Sequence, residues 1–587
     1  MTQIEPATDD STDATPEVAS APSSVELIKL ASHRLRGGLH DAVVSETPNF
    51  DDDDTVLLKF HGIYQQDDRD QRVKRGEPRE RAWQMMIRLT IPGGALSPDQ
   101  YLALDALADR LGNGTLRITT RQSIQFHGVL KGDLKPLLAE INKALLTTIA
   151  ACGDVSRNVM ACPAPIDDEV HRAVQEVARG IALELQPRTR AYHEIWLDGE
   201  RVTDSRDDEP VYGDAYLPRK FKVGVAIDTD NAVDIYSYDC GLVAVTRGGK
   251  ILGYNLLAGG GFGMTHNKAN TFARIATTIA FVEPPHAVAA VRAVCELYRD
   301  AGNRADRRHA RLKYLIEQWG AERFTEELRA RVPFTLHPPS EVPDPQQRDF
   351  LGVHEQGDGR FFAGVFVQSG RVADRDGERT RSAFREIVAT MRPGVRLTPM
   401  QSVLFTDLTE SDVVTLQRIL VAHGVRGEGE LSNTVRYSMA CPALPTCGLA
   451  LADAERALPG VLEDLERELT RLHAGTVPLT VRMTGCPNGC ARPYNADIGF
   501  VGRRPGVYHV FVGGGLRGDR LADLFASDVK IDQLVPTLRP LLERFASERH
   551  EDEGLGDFYQ RVVGNVTPRR LLTGRETPTG GLFQSAT

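Results

Sequence analysis

The chain repeats itself, and the repeat limits what it can fold into. Leu116-Arg-Ile-Thr-Thr-Arg-Gln-Ser-Ile-Gln-Phe126 resembles Val395-Arg-Leu-Thr-Pro-Met-Gln-Ser-Val-Leu-Phe405, and Arg157-Asn-Val-Met-Ala-Cys-Pro-Ala164 resembles Arg436-Tyr-Ser-Met-Ala-Cys-Pro-Ala443, both at an offset of 279 residues. Two separated blocks with one offset indicate an internal duplication. A third echo, Asn255-Leu-Leu-Ala-Gly-Gly-Gly261 with His509-Val-Phe-Val-Gly-Gly-Gly515, runs at 254, so the halves differ by an indel. Within a unit, Leu116 and Ile118 alternate with Arg117 and Thr119, and Ile124 and Phe126 with Gln125 and His127, which is strand patterning. Pro98–Leu111 instead places apolar residues three and four apart, as an amphipathic helix does. Strand, helix and strand in each half predict α+β modules about a pseudo-twofold axis.

The 587 residues are too many for one core. Hydrophobic content of 41% and charged content of 26% are those of a globular protein, and no apolar run is long enough to span a bilayer. A net charge of −10 argues against general nucleic-acid binding. Residues 1–24, rich in Ser, Thr, Pro, Asp and Ala, read as a disordered tail without the basic and apolar regions of a secretory signal. The acidic run Asp51–Asp54 reads as a solvated loop. With no signal peptide and eight cysteines, reduced thiols in the cytoplasm are expected.

Four of those cysteines form two tight pairs: Cys441 and Cys447 as C-x5-C, then Cys486 and Cys490 as C-x3-C. Four convergent thiolates are what a [4Fe–4S] cluster needs. Zinc also takes four cysteines, but usually as C-x2-4-C pairs. Pro487, Asn488 and Gly489 favour a loop, where backbone amides can turn toward sulfide. Cys152, Cys162, Cys240 and Cys295 read as buried small hydrophobes.

The two copies diverge in chemistry. At the offset of 279, Cys447 corresponds to Asp168, so the first copy keeps only Cys162 of its pair, and Arg121 corresponds to Met400. The second copy supplies thiolates and the first supplies cations. Arg88, Arg117, Arg121, Arg157, Lys220 and Lys222 stand in motifs rather than on amphipathic faces, and together they suggest a polyanion site. Lys220 and Lys222, two apart, are expected on one side of the strand that follows. The Gly259–Gly261 and Gly513–Gly515 runs would let backbone approach a large flat cofactor, although tight turns explain them as well.

From about residue 55 to about residue 565 the chain resembles the siroheme and [4Fe–4S] family of sulfite and nitrite reductases, specifically the hemoprotein subunit of assimilatory sulfite reductases. The matching blocks are Leu58-Lys-Phe-His-Gly-Ile-Tyr-Gln-Gln-Asp-Asp-Arg69, Gly114-Thr-Leu-Arg-Ile-Thr-Thr-Arg-Gln122, Arg157-Asn-Val, Tyr216-Leu-Pro-Arg-Lys-Phe-Lys222, Asn255–Gly261 and both cysteine motifs. The resemblance implies ferredoxin-like half-modules over 25–160 (with an N-terminal wrap) and 336–425. It further implies a siroheme-binding α+β domain without a cluster over 161–335, and a [4Fe–4S]/siroheme domain over 426–587. It implies Cys441, Cys447, Cys486 and Cys490 as cluster ligands, with Cys490 bridging to siroheme iron. It places Arg88, Arg157, Lys220 and Lys222 around sulfite, holding the anion and relaying protons. Toward siroheme and its eight carboxylates it places Arg117, Thr119, Arg121, Gln125, His127, Asn255, Gly259, Gly260 and Gly261. Some relatives join a cysteine near Ser156-Arg-Asn-Val-Met-Ala-Cys162 to a tyrosine near the heme, a role that would fall to Tyr64; a free buried thiol is the simpler expectation.

The implied reaction is the six-electron reduction of sulfite to sulfide, with nitrite reduction to ammonia as the alternative. The two lysines favour sulfite, the larger and more negative oxyanion. The chain has no flavin or nicotinamide fingerprint of its own, so electrons must come from a partner, either an NADPH-fed flavoprotein subunit or ferredoxin. No nucleic acid or membrane partner is expected.

Overall fold

The computed structural model describes residues 21–72, 81–189, 196–197, 200–201, 209–343, 345, 347–375 and 377–564. Of the tail expected over 1–24, residues 1–20 lie outside the described residues, and a helix begins at Ser24.

Four five-stranded sheets, in two matching pairs, organise the described residues. The first small sheet runs Ile63–Asp67, Trp83–Arg88, Ile124–Val129, Leu116–Ile118 and then Arg371–Val372. Its counterpart runs Gly352–Glu355, Phe361–Val365, Val403–Leu408, Gly394–Leu397 and then Ala95–Leu96. The last strand of each sheet therefore comes from the other half of the chain. This exchange welds the half-modules, and Leu104, Leu116 and Phe126 share one core with Phe384, Ile387 and Phe405. Pro98–Leu111 is the expected helix, started by Ser97 with a reciprocal Gln100 capping box and proline in the first turn.

Two larger sheets repeat a second topology. In one, Met160–Ala161, Val223–Ile227 and Cys240–Arg247 pair in parallel, and Lys250–Ala258 and Thr277–Val282 continue antiparallel. In the other, Ser438–Ala440, Val481–Thr484 and Ile498–Arg504 are parallel, and Val507–Val512 and Asp523–Lys530 antiparallel. The helix pair Glu169–Glu184 and Ala287–Ala301 packs on the first sheet, and Leu458–Arg471 with Leu534–Glu548 on the second. The duplication read from sequence is thus present in both layers, with α+β character throughout.

The pseudo-twofold relation shows in reciprocal contacts. Gln122 Nε2 donates to Leu397 O of the second half (3.1 Å), and its Oε1 accepts from Ala161 N (3.0 Å). Gln401, its equivalent, donates to Ile118 O of the first half (3.4 Å) and accepts from Ala440 N (3.2 Å). Each partner is itself displaced by 279 residues from its counterpart. The glycine runs meet the same need in both copies. A Cβ on Gly260 would lie 2.4 Å from Tyr238 O, and one on Gly514 2.3 Å from Asn495 O, so close backbone packing requires glycine there.

One expectation is corrected. Asp51–Asp54 is not a loop: Asp51 caps the helix Asp52–Leu58, accepting from Asp54 N (2.7 Å). Carboxylates in a first turn favour the helix by complementing its positive end.

Candidate functional site

The four cysteines of the second half come together on loops that follow strand ends. Ser438–Ala440 delivers Cys441, and Val481–Thr484 delivers Cys486. Cys490 follows Pro487-Asn-Gly489 in loop conformation, as the residue types required. Burial pushes the Cys441 thiol well up, and Cys490, Cys486 and Cys447 add to the shift, so the four thiols lie within electrostatic reach of one another. Yet among the described residues no three Cys, His, Asp or Glu side chains are close enough to hold one metal ion. The C-x5-C and C-x3-C spacing suits a [4Fe–4S] cluster better than the C-x2-4-C pairs usual for zinc. Gly485 N donates to Cys441 Sγ (3.3 Å) and Asn488 Nδ2 to Cys486 Sγ (3.6 Å), as suits thiolates.

The first half clamps these loops. Arg69 Nη1 donates to Ala450 O (2.6 Å) and Cys447 O (3.4 Å). Thr120 Oγ1 donates to Cys490 O (3.1 Å), Met264 N to Pro487 O (3.0 Å) and Arg117 Nη2 to Ala440 O (2.9 Å). Cys490 alone of the four thiols is exposed.

Facing Cys490 is a recess of cations from the first half. Arg88 ends the strand Trp83–Arg88 and donates to Cys152 Sγ (3.2 Å). The Gln125 amide turns its oxygen to Arg88 Nε (3.0 Å) and Nη2 (2.5 Å). Burial opposes the Arg88 charge, but Cys152, Tyr64, Cys490 and Cys447 more than offset that. Arg157 spends Nε on Gly153 O (2.9 Å) and Nη1 on Ala151 O (3.3 Å). Lys220 and Lys222 precede Val223–Ile227 and act on each other, in keeping with a shared side. Burial, then Arg311 and Arg219, push Lys220 down to about 7. Burial, then Lys220, Arg121 and Arg311, push Lys222 well below its usual value, and Cys490 pulls both back up. Among the described residues neither lysine Nζ has a hydrogen-bond partner. Both retain accessible surface, so they line a recess rather than sit in a packed core.

Arg121 stacks on the Tyr238 ring at 4.9 Å and donates to Asn158 O, but its Nε and Nη1 are buried without partners. Burial lowers its pKa to about 10. His127 is 2% exposed with both ring nitrogens unpartnered, and burial, then Arg371 and Arg117, keep it neutral. Stranded donors and unpaired cations in one recess are what a polycarboxylate cofactor would satisfy. Other residues expected at the cofactor are engaged by protein. Arg117 pairs with Glu455 (3.1 Å), Thr119 Oγ1 accepts from Arg121 N (3.2 Å), and Asn255 makes a two-way amide clamp with Ser340 (2.7 and 2.9 Å). Gly259 to Gly261 pack on Tyr236, Tyr238, Arg311 and Ile316.

Cys162 is a free buried thiol, as the simpler expectation had it. The Cys162 thiol contacts Asp230 (3.4 Å), whereas Tyr64 lies against Cys152, which raises its pKa after burial does. Cys162 belongs to a repeated block and so drew notice; Cys152 stands outside it. Arg311 (paired with Asp239 at 2.8 Å), Arg219, Arg69 and Thr120 were also missed as site residues. Arg69, Arg219 and Thr120 sit inside blocks already quoted, so the signal for them was adjacency.

A family model for the nitrite and sulphite reductase 4Fe-4S domain matches residues 177–336, and one for the nitrite/sulfite reductase ferredoxin-like half domain matches 80–144 and 353–423. A sulfite reductase [NADPH] hemoprotein beta-component from Paenibacillus sp. (strain JDR-2) is 43% identical over 551 residues, spanning 93% of this chain and 96% of that one. The chain belongs to the nitrite and sulfite reductase family. A sulfite reductase [ferredoxin] from Synechococcus elongatus is 44% identical over 560 residues, covering 92% of this chain and 89% of its own. The solved Mycobacterium tuberculosis NirA protein shares the fold, with a TM-score of 0.75 at 23% identity over 93% of this chain and 97% of that one. The 4Fe-4S domain model matches the half that lacks the four cysteines. Family fold and cluster ligation are therefore separable in this chain. Siroheme and a [4Fe–4S] cluster are the cofactors of this family, and the recess and the four thiols fit both.

Proposed function

We propose that this protein reduces sulfite to sulfide with six electrons, in assimilatory sulfur metabolism, at a siroheme coupled to a [4Fe–4S] cluster. One observation carries the reading: Arg88, Lys220 and Lys222, all from the first half, lie within electrostatic reach of Cys490, the exposed thiol of the second half. The cofactors, when bound, supply the one-electron chemistry. Cys441, Cys447, Cys486 and Cys490 would hold the cluster, and the exposed Cys490 would be the thiol next to siroheme. Arg121, Gln125 and His127 turn toward siroheme, while Arg117, Thr119, Asn255 and Gly259–Gly261 support the wall behind it. Arg88 and Arg157 hold the oxyanion at their guanidiniums. A bound anion would favour the charged forms of Lys220 and Lys222, which would then offset its charge and hold protons at Nζ, and a Lys220 pKa of about 7 suits that task.

Relatives bear both NADPH and ferredoxin designations. The donor here is a separate protein, either a flavoprotein subunit or ferredoxin. No helix among the described residues is long and apolar enough to cross a membrane. Eight free cysteines suit the reducing cytoplasm. Nitrite is the second reading, since the family includes both activities; the lysine pair favours sulfite. The test is turnover of the loaded protein with a chemical one-electron donor on each anion. Sulfide formation with a higher kcat/KM for sulfite is expected. A higher kcat/KM for nitrite overturns the assignment.

A further inference from the structure

Arg117 and Arg371 lie directly opposite one another in the antiparallel pairing of Leu116–Ile118 with Arg371–Val372. Like charges facing across a ladder destabilise it unless something intervenes. Glu455 does so: its Oε1 accepts from Arg371 Nε (2.7 Å), and its Oε2 from Arg371 Nη2 (3.0 Å) and Arg117 Nε (3.1 Å). The three side chains are 2%, 14% and 12% exposed for Arg117, Arg371 and Glu455, so water screens them little. Each comes from a different part of the fold: the first half-module, the strand exchanged into it, and the cysteine-bearing domain.

The unit is tied to one thiol by main chain. Glu455 N donates to Cys441 O (3.1 Å), and Arg117 Nη2 to Ala440 O (2.9 Å). Cys441 is thereby gripped on both sides by residues whose side chains form the unit. Two guanidiniums against one carboxylate leave it net positive, and the Cys441 thiol is within electrostatic reach of Arg117.

We propose that Arg117, Glu455 and Arg371 form a positioning unit that fixes Cys441 and, by its net positive charge, raises the reduction potential of the cluster. The inference rests on the cluster assignment above. A reduced cluster carries one more negative charge, which a buried positive neighbour stabilises, and cluster potentials respond to nearby charge and hydrogen bonding. The side chains of the unit bond to one another, and Arg117 and Glu455 reach the backbone at Ala440 and Cys441, so it acts through Cys441.

The test is a reductive titration of the loaded protein followed by the EPR signal of the reduced cluster, with iron and acid-labile sulfide measured alongside. Four irons beyond the siroheme iron, with four acid-labile sulfides, in the wild type secure the cluster assignment independently of the variants. Arg371→Gln removes a positive charge and is expected to lower the midpoint potential. Glu455→Gln removes the negative charge and is expected to raise it. Arg371→Lys keeps the charge and stays near wild type. A merely structural role would reduce cluster content without sorting the shifts by charge. Shifts of one sign in both glutamine variants, or none in either at full occupancy, overturn the proposal. If Glu455→Gln does not retain a cluster, the arginine variants decide: a lower potential in Arg371→Gln but not in Arg371→Lys supports the unit, and matching potentials, or cluster loss in Arg371→Gln with no potential shift in what remains, overturn it.

Discussion

Cys162 and Cys441 occupy equivalent positions in two copies of one fold, and they have opposite fates. Both follow a short strand at the edge of a five-stranded sheet, Met160–Ala161 in one copy and Ser438–Ala440 in the other. Cys441 lies within electrostatic reach of three more thiols. Cys162 contacts a carboxylate, and the position equivalent to Cys447 is Asp168, which caps the helix Glu169–Glu184 by accepting from His171 N (2.7 Å). One copy spends this loop on starting a helix, and the other leaves it free to wrap a cluster. The first copy has become the clamp and the source of cations. Where the copies meet, the charge asymmetry closes on itself. Asp234 and Arg492, both left-handed residues just before matching short helical turns, form a buried ion pair at 2.6 Å. Duplication fixed the scaffold, and under the function proposed above divergence divided the labour between metal ligation and anion handling.

That division is broken most directly at the thiols. Cys441→Ser, Cys447→Ser and Cys486→Ser should each abolish the four-iron cluster, because a lost thiolate opens one iron to solvent. Cys490→Ser should disturb cluster and siroheme together. Cys162→Ser should leave iron and acid-labile sulfide at wild-type content despite its equivalent place. Zinc in stoichiometric amount in the wild type, or cluster loss in Cys162→Ser, would defeat the comparison.

The first half's role is sharpened at its lysines. Lys220→Met and Lys222→Met should each lower sulfite turnover by about a hundredfold, or about 3 kcal/mol, as expected for a donor at a developing charge. Siroheme content should fall far less, since many cations share that load. Steady-state rates with a chemical donor, set against the siroheme absorbance, separate the two effects. Turnover and sulfite affinity near wild type in both variants would move the lysines out of the site.

Much of this was legible in the chain. The repeat offset of 279 predicted both layers of duplicated structure, and Pro487, Asn488 and Gly489 predicted a loop rather than helix between Cys486 and Cys490. What stayed hidden was whatever depends on two distant segments meeting. The exchanged strands Ala95–Leu96 and Arg371–Val372 are two residues long, too short for any periodicity to register. Arg117 read as a cofactor ligand because its motif is cationic, and only the fold brings Glu455 to it. Asn255 likewise stands in a matching block, yet its amide is taken by Ser340. That Tyr64 lies against Cys152 was not legible either, since tertiary packing alone brings the two together.

The cation-rich recess also leaves a mark on stability. Burial and neighbouring positive charge lower Lys220 to about 7, and Lys222 is lowered as well. Above its folded pKa such a lysine is neutral in the fold but still protonated when unfolded. The unfolded state therefore binds more protons, and stability rises with pH. Apoprotein Tm is expected to climb from about pH 7 to about 8.5, a window below the ordinary thiol range. Lys220→Met should flatten the climb, and loading with siroheme, whose carboxylates favour the charged lysine, should do so too. A Tm that falls across this window would contradict the assignment of strained cations to the first half.

The smallest expected effect probes what the halves still share. Gln122 and Gln401 each cross to the other half and each hold the backbone N–H of an edge strand, Ala161 N and Ala440 N. Both are fully buried, so truncation leaves buried groups without partners. Gln122→Ala and Gln401→Ala should each cost about 1–3 kcal/mol, read as a shift in the denaturation midpoint of the apoprotein. Because the contacts are reciprocal, the two costs should match within about 0.5 kcal/mol. The loaded protein should distinguish them: Ala440 precedes Cys441, whereas Ala161 precedes a cysteine that binds nothing, so only Gln401→Ala should also lower cluster content. Unequal costs in the apoprotein would mean that divergence has reached the interface itself. Equal costs together with equal cluster content would mean that Cys441 is held by Arg117 and Glu455 alone.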